Sequence, residues 1–82
     1  MFYFRFHRGG FNESMQTKKK FDELWEVIEF CSDYCDCLIS EIIVQYYSYD
    51  TRLKTDCYLV SCHHNGKYYI VGFCWEERSK NG

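Results

Sequence analysis

The sequence predicts a small α+β domain, an antiparallel sheet packed on one helix with the element order ββαβββ. Three observations carry this prediction: a two-residue hydrophobic period at the start of the chain, a helical period in its second quarter, and an Asn-Gly turn between two β-rich runs near its end. A chain of 82 residues can build one core and is too short for two, so residues 1–82 are read as a single domain.

The elements follow in order. Phe2, Phe4 and Phe6 alternate with Tyr3, Arg5 and His7, the pattern of a strand with one apolar and one polar face. Gly9-Gly10 ends it and Asn12-Glu13-Ser14 extends the loop, after which Gln16 to Lys20 form a weaker strand whose lysines suit a sheet edge. Phe21, Leu24, Trp25, Ile28, Cys31 and Cys35 then fall at helical spacing, with Val27 and Tyr34 widening the apolar face. Asp22 is the expected N-cap, and the carboxylates of the first turn suit the positive end of the helix dipole.

The β-branched and aromatic run Ile42 to Tyr47 predicts a third strand, closed by a turn at Tyr49-Asp50-Thr51-Arg52. A fourth runs from Thr55 to His63, and Asn65-Gly66 makes a two-residue type I′ turn into a fifth, Lys67 to Trp75. The tail from Glu76 to Gly82 is polar and expected to fray. Counted outward from that turn, an unbroken register sets Val60 opposite Val71, Tyr58 opposite Phe73 and Cys57 opposite Cys74. Phe73 and Trp75 then join Tyr58, Val60 and Cys62 on the core face. Leu59, Ser61, His63, Tyr68, Ile70, Gly72 and Cys74 lie on the other.

With 46% hydrophobic residues the chain can supply a core, and disorder is not expected. Seven Phe, eight Tyr and two Trp are more rings than one two-layer core can hide, so some are expected at the surface in a recognition role. A net charge of −2 argues against a generic polyanion binder, and direct nucleic-acid binding is not expected. Met1 leads straight into strand-like sequence with no leader pattern and no apolar run of membrane-spanning length. The expectation is a protein of the cytoplasm, with no membrane partner and with its six cysteines reduced.

No glycine-rich phosphate loop, nucleophile elbow, Cys-Gly or His-Glu motif is present, and the chain is not expected to be an enzyme. Cys31, Cys35, Cys37, Cys62, His63 and His64 are soft or imidazole ligands, but C-x3-C-x-C is not a zinc-knuckle spacing. Neighbouring strand residues also point to opposite faces, so neither a metal nor another cofactor is expected. Cys57 and Cys74 are read as reduced thiols acting as small apolar residues.

The candidate binding residues fall in three groups. At 100° per residue Asp22, Glu26, Glu29, Asp33 and Asp36 form a narrow acidic band along about 20 Å of helix, spaced like a phosphate backbone. Tyr3 and Arg5 set an aromatic beside a cation on the polar side of the first strand. His63, Tyr68 and Ile70, with Leu59 and Ser61, form a sheet surface too apolar for solvent and too polar for a core, suited to a protein contact such as a homodimer.

The segment Phe4-Arg5-Phe6-His7-Arg8-Gly9-Gly10 followed by Glu13-Ser14-Met15-Gln16-Thr17 resembles the start of small uncharacterised proteins of phages and mobile elements. Tyr49 to Arg52, Tyr58-Leu59-Val60 and Ile70 to Phe73 are similar to the closing hairpin of those proteins, while Lys54 stands where an aromatic is expected. The resemblance implies a non-enzymatic anti-CRISPR or other anti-defence inhibitor, acting in the host cell cytoplasm on a host protein or ribonucleoprotein complex such as a Cas effector. The residues alone leave open an alternative, a small accessory protein that binds nucleic acid or a structural metal.

Overall fold

The computed structural model describes residues 1–7 and 18–77. The predicted glycine loop, the Glu13 to Thr17 motif, Gln16 at the start of the second strand and the end of the tail lie outside the described residues. The elements run β1 (Phe2–Phe6), β2 (Lys19–Phe21), α1 (Leu24–Cys35), a 3-10 turn (Ile39–Glu41), β3 (Ile42–Asp50), β4 (Thr55–His64) and β5 (Lys67–Glu76). All strand pairs are antiparallel, in the order β2-β1-β5-β4-β3, so the ββαβββ fold is present. The short, lysine-bearing β2 is an edge strand as expected, and β3 is the opposite edge.

Helix α1 covers one face of the sheet. Val27 and Cys31 are fully buried, and Leu24, Ile28, Phe30 and Cys35 pack beside them against Phe4, Val60, Cys62, Val71 and Cys74. Phe30, absent from the predicted apolar face, is central: its ring lies 5.9 Å from Phe4, 5.9 Å from Phe6 and 5.5 Å from Phe21. Trp25 and Tyr34 have the predicted helical spacing yet remain more than half exposed, because they sit at the margins of the contact. The helix starts one residue later than expected, with Glu23 as N-cap. The Glu26 carboxylate accepts the backbone N–H groups of both Asp22 and Glu23, at 3.0 and 2.9 Å, and so satisfies two donors ahead of the first turn. Asp36 ends the helix in the left-handed conformation, φ 56°.

The last hairpin corrects the predicted register. Asn65 and Gly66 make the two-residue turn with φ of 51° and 74°, and the pairs from His64 with Lys67 to Ser61 with Ile70 follow it. A bulge at Val71 then inserts one extra residue, so Val60 faces Gly72, Tyr58 faces Cys74 and Cys57 faces Trp75. Beyond the bulge every side chain of β5 exchanges faces relative to the unbroken count. Gly72 and Cys74 therefore lie under the helix, while Phe73 and Trp75 lie on the opposite face, which no described element covers.

Packing explains why the bulge sits there. Phe4 is fully buried, and a Cβ on Gly72 would stand 2.6 and 2.8 Å from its ring carbons and collide with the Arg5 carbonyl. Only a residue without a side chain lets β1 and β5 pair at this point with the Phe4 ring between sheet and helix. A second irregularity at Tyr47 shifts the β3–β4 register and turns the outer half of that hairpin.

Candidate binding surfaces

The acidic band and a cluster of cations lie on opposite sides of the sheet. On the helix side Asp22, Glu29, Asp33 and Asp36 are exposed and Glu26 is half-buried, and among the described residues none of the five forms an ion pair. Only Glu26 has an evident structural role, in the cap. Asp33 and Asp36 lie at the negative end of the helix dipole, where a carboxylate costs about 0.3–1 kcal/mol, and no basic residue occupies the last turn.

The uncovered side contains a hollow of about 710 Å³ where β1, β5, β4 and β3 pass side by side. Arg5, Lys18 and Arg52 line it together with Tyr47, Phe73 and Trp75. Its floor is a second small cluster of Tyr3, Cys57 and Trp75, in which the Tyr3 and Trp75 rings stack at 5.8 Å and 25°. The Lys18 ammonium lies 4.6 Å above the Tyr3 ring. Burial, with Glu77 beside it, pushes the Tyr3 phenol above its ordinary pKa. Tyr47 stands as a wall, 5.2 Å from Phe73 and 58% exposed.

One carboxylate, Asp50, belongs to the lining. Its Oδ1 accepts the backbone N–H groups of Leu53 and Arg52 at 2.9 and 2.8 Å, which holds its pKa below the usual range and ties it into the β3–β4 turn. That turn, Thr51 to Lys54, sets Arg52 in the same lining as Arg5.

The residues singled out from sequence are thus divided by the fold. Arg5 is at the hollow, whereas Tyr3 is beneath it, only 8% exposed, and presents little surface. His63, Tyr68 and Ile70 lie on the same uncovered face at its other end, beside the Asn65-Gly66 turn. Tyr68 and Ile70 are exposed, the His63 ring packs edge-on to Tyr68 at 4.8 Å, and Ser61 is fully buried between the strands with no hydrogen-bond partner for its Oγ among the described residues. Sequence reasoning missed Arg52, Tyr47, Phe73 and Trp75. For Phe73 and Trp75 the missing signal was the bulge; Arg52 shares a lining with Arg5 only through the strand order, which nothing local encodes.

Five of the six thiols belong to the covered side, and Cys57 lies on the other. Cys62 donates to the Cys37 sulfur at 3.2 Å, and Cys31 and Cys35 lie close by. All six cysteines are free, and Cys57 and Cys74, a conceivable pair in the unbroken register, instead lie on opposite faces. Burial pushes the Cys37 thiol up to about 11 and the Cys74 thiol up to about 12, the reverse of an activated nucleophile. His64 turns toward Glu41, Nδ1 to Oε1 3.1 Å, and the Leu38 N–H and His64 together hold the Glu41 carboxyl below its usual range. Among the described residues no group of three or more His, Cys, Asp or Glu side chains is arranged to hold a metal ion, and no helix is long and apolar enough to cross a membrane. No family model matches the chain, and neither a curated protein nor a solved structure does.

Proposed function

We propose that this chain is a small non-enzymatic inhibitor of the phage anti-defence type, which binds and blocks a host nucleic-acid-handling complex, a Cas effector being the target the resemblance implies. The observation that carries the reading is the acidic band of α1. Apart from Glu26, which caps the helix, its carboxylates have no ion-pair partner among the described residues, and they continue past the turn where the helix dipole favours them to the end where it opposes them. A charge arrangement that lowers helix stability is accounted for by a basic surface elsewhere, such as a groove that otherwise holds a phosphate backbone. Thiols held protonated by burial and a sheet centre filled with apolar side chains support binding rather than bond-making.

The test is inhibition of a reconstituted Cas effector by the E26Q/E29Q/D33N variant. Glutamine at position 26 can still accept the capping N–H groups, so the helix is preserved while three charges are removed. The expected result is at least a tenfold rise in the concentration needed for half-inhibition at low salt, and a smaller difference at moderate salt because such contacts are screened. Undiminished inhibition at both salt concentrations would reduce the band to a solvated face.

A further inference from the structure

The helix side accounts for the acidic band and leaves the cation cluster unexplained. On the uncovered face Arg5, Lys18 and Arg52 converge on one aromatic-lined hollow from three separate segments of a chain whose net charge is negative. None of the three is ion-paired to a carboxylate side chain within 4.0 Å among the described residues, and the one acid in the lining, Asp50, is engaged by the turn backbone. The domain measures 45 × 27 × 21 Å, and even its shortest extent is about twice the roughly 10 Å screening length at 0.1 M salt. An anion in the hollow therefore meets the local cations directly, with the acidic helix on the opposite side of the sheet.

We infer that this hollow is a binding site for single-stranded nucleic acid, with phosphates held by Arg5, Lys18 and Arg52 and a base stacked on Tyr47. The residue types match the two demands of such a ligand: fixed cations for the backbone, and an exposed ring for a base, the latter worth about 1–3 kcal/mol per stacked base. An open antiparallel sheet face with its rings supported from beneath is a suitable platform. Here Phe73 backs Tyr47, and the Tyr3–Trp75 stack forms a rigid floor. The concave shape suits one or two unpaired nucleotides, because a duplex keeps its bases inside grooves that a protruding element must enter. An acidic peptide would satisfy the cations but leave Tyr47 unused. The inference does not depend on the proposed inhibitor function.

Fluorescence anisotropy of a labelled ten-nucleotide single strand, as RNA and as DNA, tests the inference. Binding is expected at 50 mM salt and should weaken about 20-fold by 200 mM salt if three phosphates are neutralised. The R5Q/R52Q variant should lose most of this salt dependence, and Tyr47→Ala should bind about tenfold more weakly. Lys67→Gln, which removes a cation at the distant Asn65-Gly66 turn, should change affinity less than twofold. In a Trp25→Phe background Trp75 is the sole indole, and its emission should change on binding. Circular dichroism checks that each variant is folded. If no single strand binds at 50 mM salt, if Lys67→Gln weakens binding as much as R5Q/R52Q, or if a glutamate-rich peptide competes equally well, the hollow is not this site.

Discussion

The two faces of the sheet differ in how their side chains are used. Beneath α1 the residues are small or fully enclosed: Val60, Cys62, Gly72 and Cys74 leave room for the helix and for the Phe4 ring, and the neighbouring polar groups either cap the helix or point outward. On the opposite face an exposed Tyr47 and a half-buried Phe73 stand over the buried Tyr3–Trp75 stack and are interleaved with cations, around a hollow where the covered face has a core. The contrast teaches that the bulge at Val71 does more than absorb an extra residue. It transfers Phe73 and Trp75 out of the core and gives the open face its aromatic floor.

If the covered face holds the fold, truncations there are the most damaging. Phe4→Ala removes a fully buried ring that meets both Phe6 and Phe30, and should cost about 3–5 kcal/mol in urea denaturation, enough to unfold a marginal domain. Gly72→Ala should cost about 3 kcal/mol, since the added methyl meets backbone as well as the Phe4 ring. Near-native stability in this variant would contradict the bulged register, because the unbroken register puts residue 72 on the open face.

That register marks the limit of what the sequence disclosed. The first strand, the helix, the Asn65-Gly66 hairpin and the edge position of β2 were legible because each depends on periodicity or turn chemistry within a few residues. The bulge was not, because its position is set by Phe4, nearly seventy residues upstream of Gly72. The acidic band was legible for the same reason as the helix that presents it. The hollow was not, since Arg5, Lys18, Arg52 and Trp75 meet only through the order β2-β1-β5-β4-β3. Trp25 shows the converse: helical spacing placed it with the core, and the margin of the helix–sheet contact left it exposed.

The buried thiols sharpen the comparison through pH. In the folded chain the Cys37 and Cys74 thiols titrate at about 11 and about 12, whereas an unfolded thiol titrates near 8.5. Above the unfolded value the native state binds more protons, so the contribution of these thiols to stability should be constant below about pH 8.5 and fall by about 3 kcal/mol for each thiol by pH 11. Thermal melts in the presence of a reductant would show this. A flat profile would mean that these thiols reach solvent.

Smaller effects separate structure from binding within the acidic band. Glu26→Ala should lower stability by about 1 kcal/mol through loss of the cap, whereas Glu29→Gln should change it by less than about 0.5 kcal/mol. At the turn end of the open face, Ile70→Glu should leave stability within about 0.5 kcal/mol, because the side chain is already 41% exposed. If that end forms a homodimer, sedimentation should show the variant as a monomer. A strict monomer before and after the change would leave this surface to other partners.

The division of labour between the faces is tested most directly by an amide chemical-shift titration of the whole chain with a single-stranded oligonucleotide. The expected shifts center on Arg5, Lys18, Tyr47, Arg52, Phe73 and Trp75, with Val27, Glu29 and Cys31 of the helix unmoved. Shifts concentrated on the helix, or spread evenly over both faces, would contradict the assignment of single-strand binding to the open face.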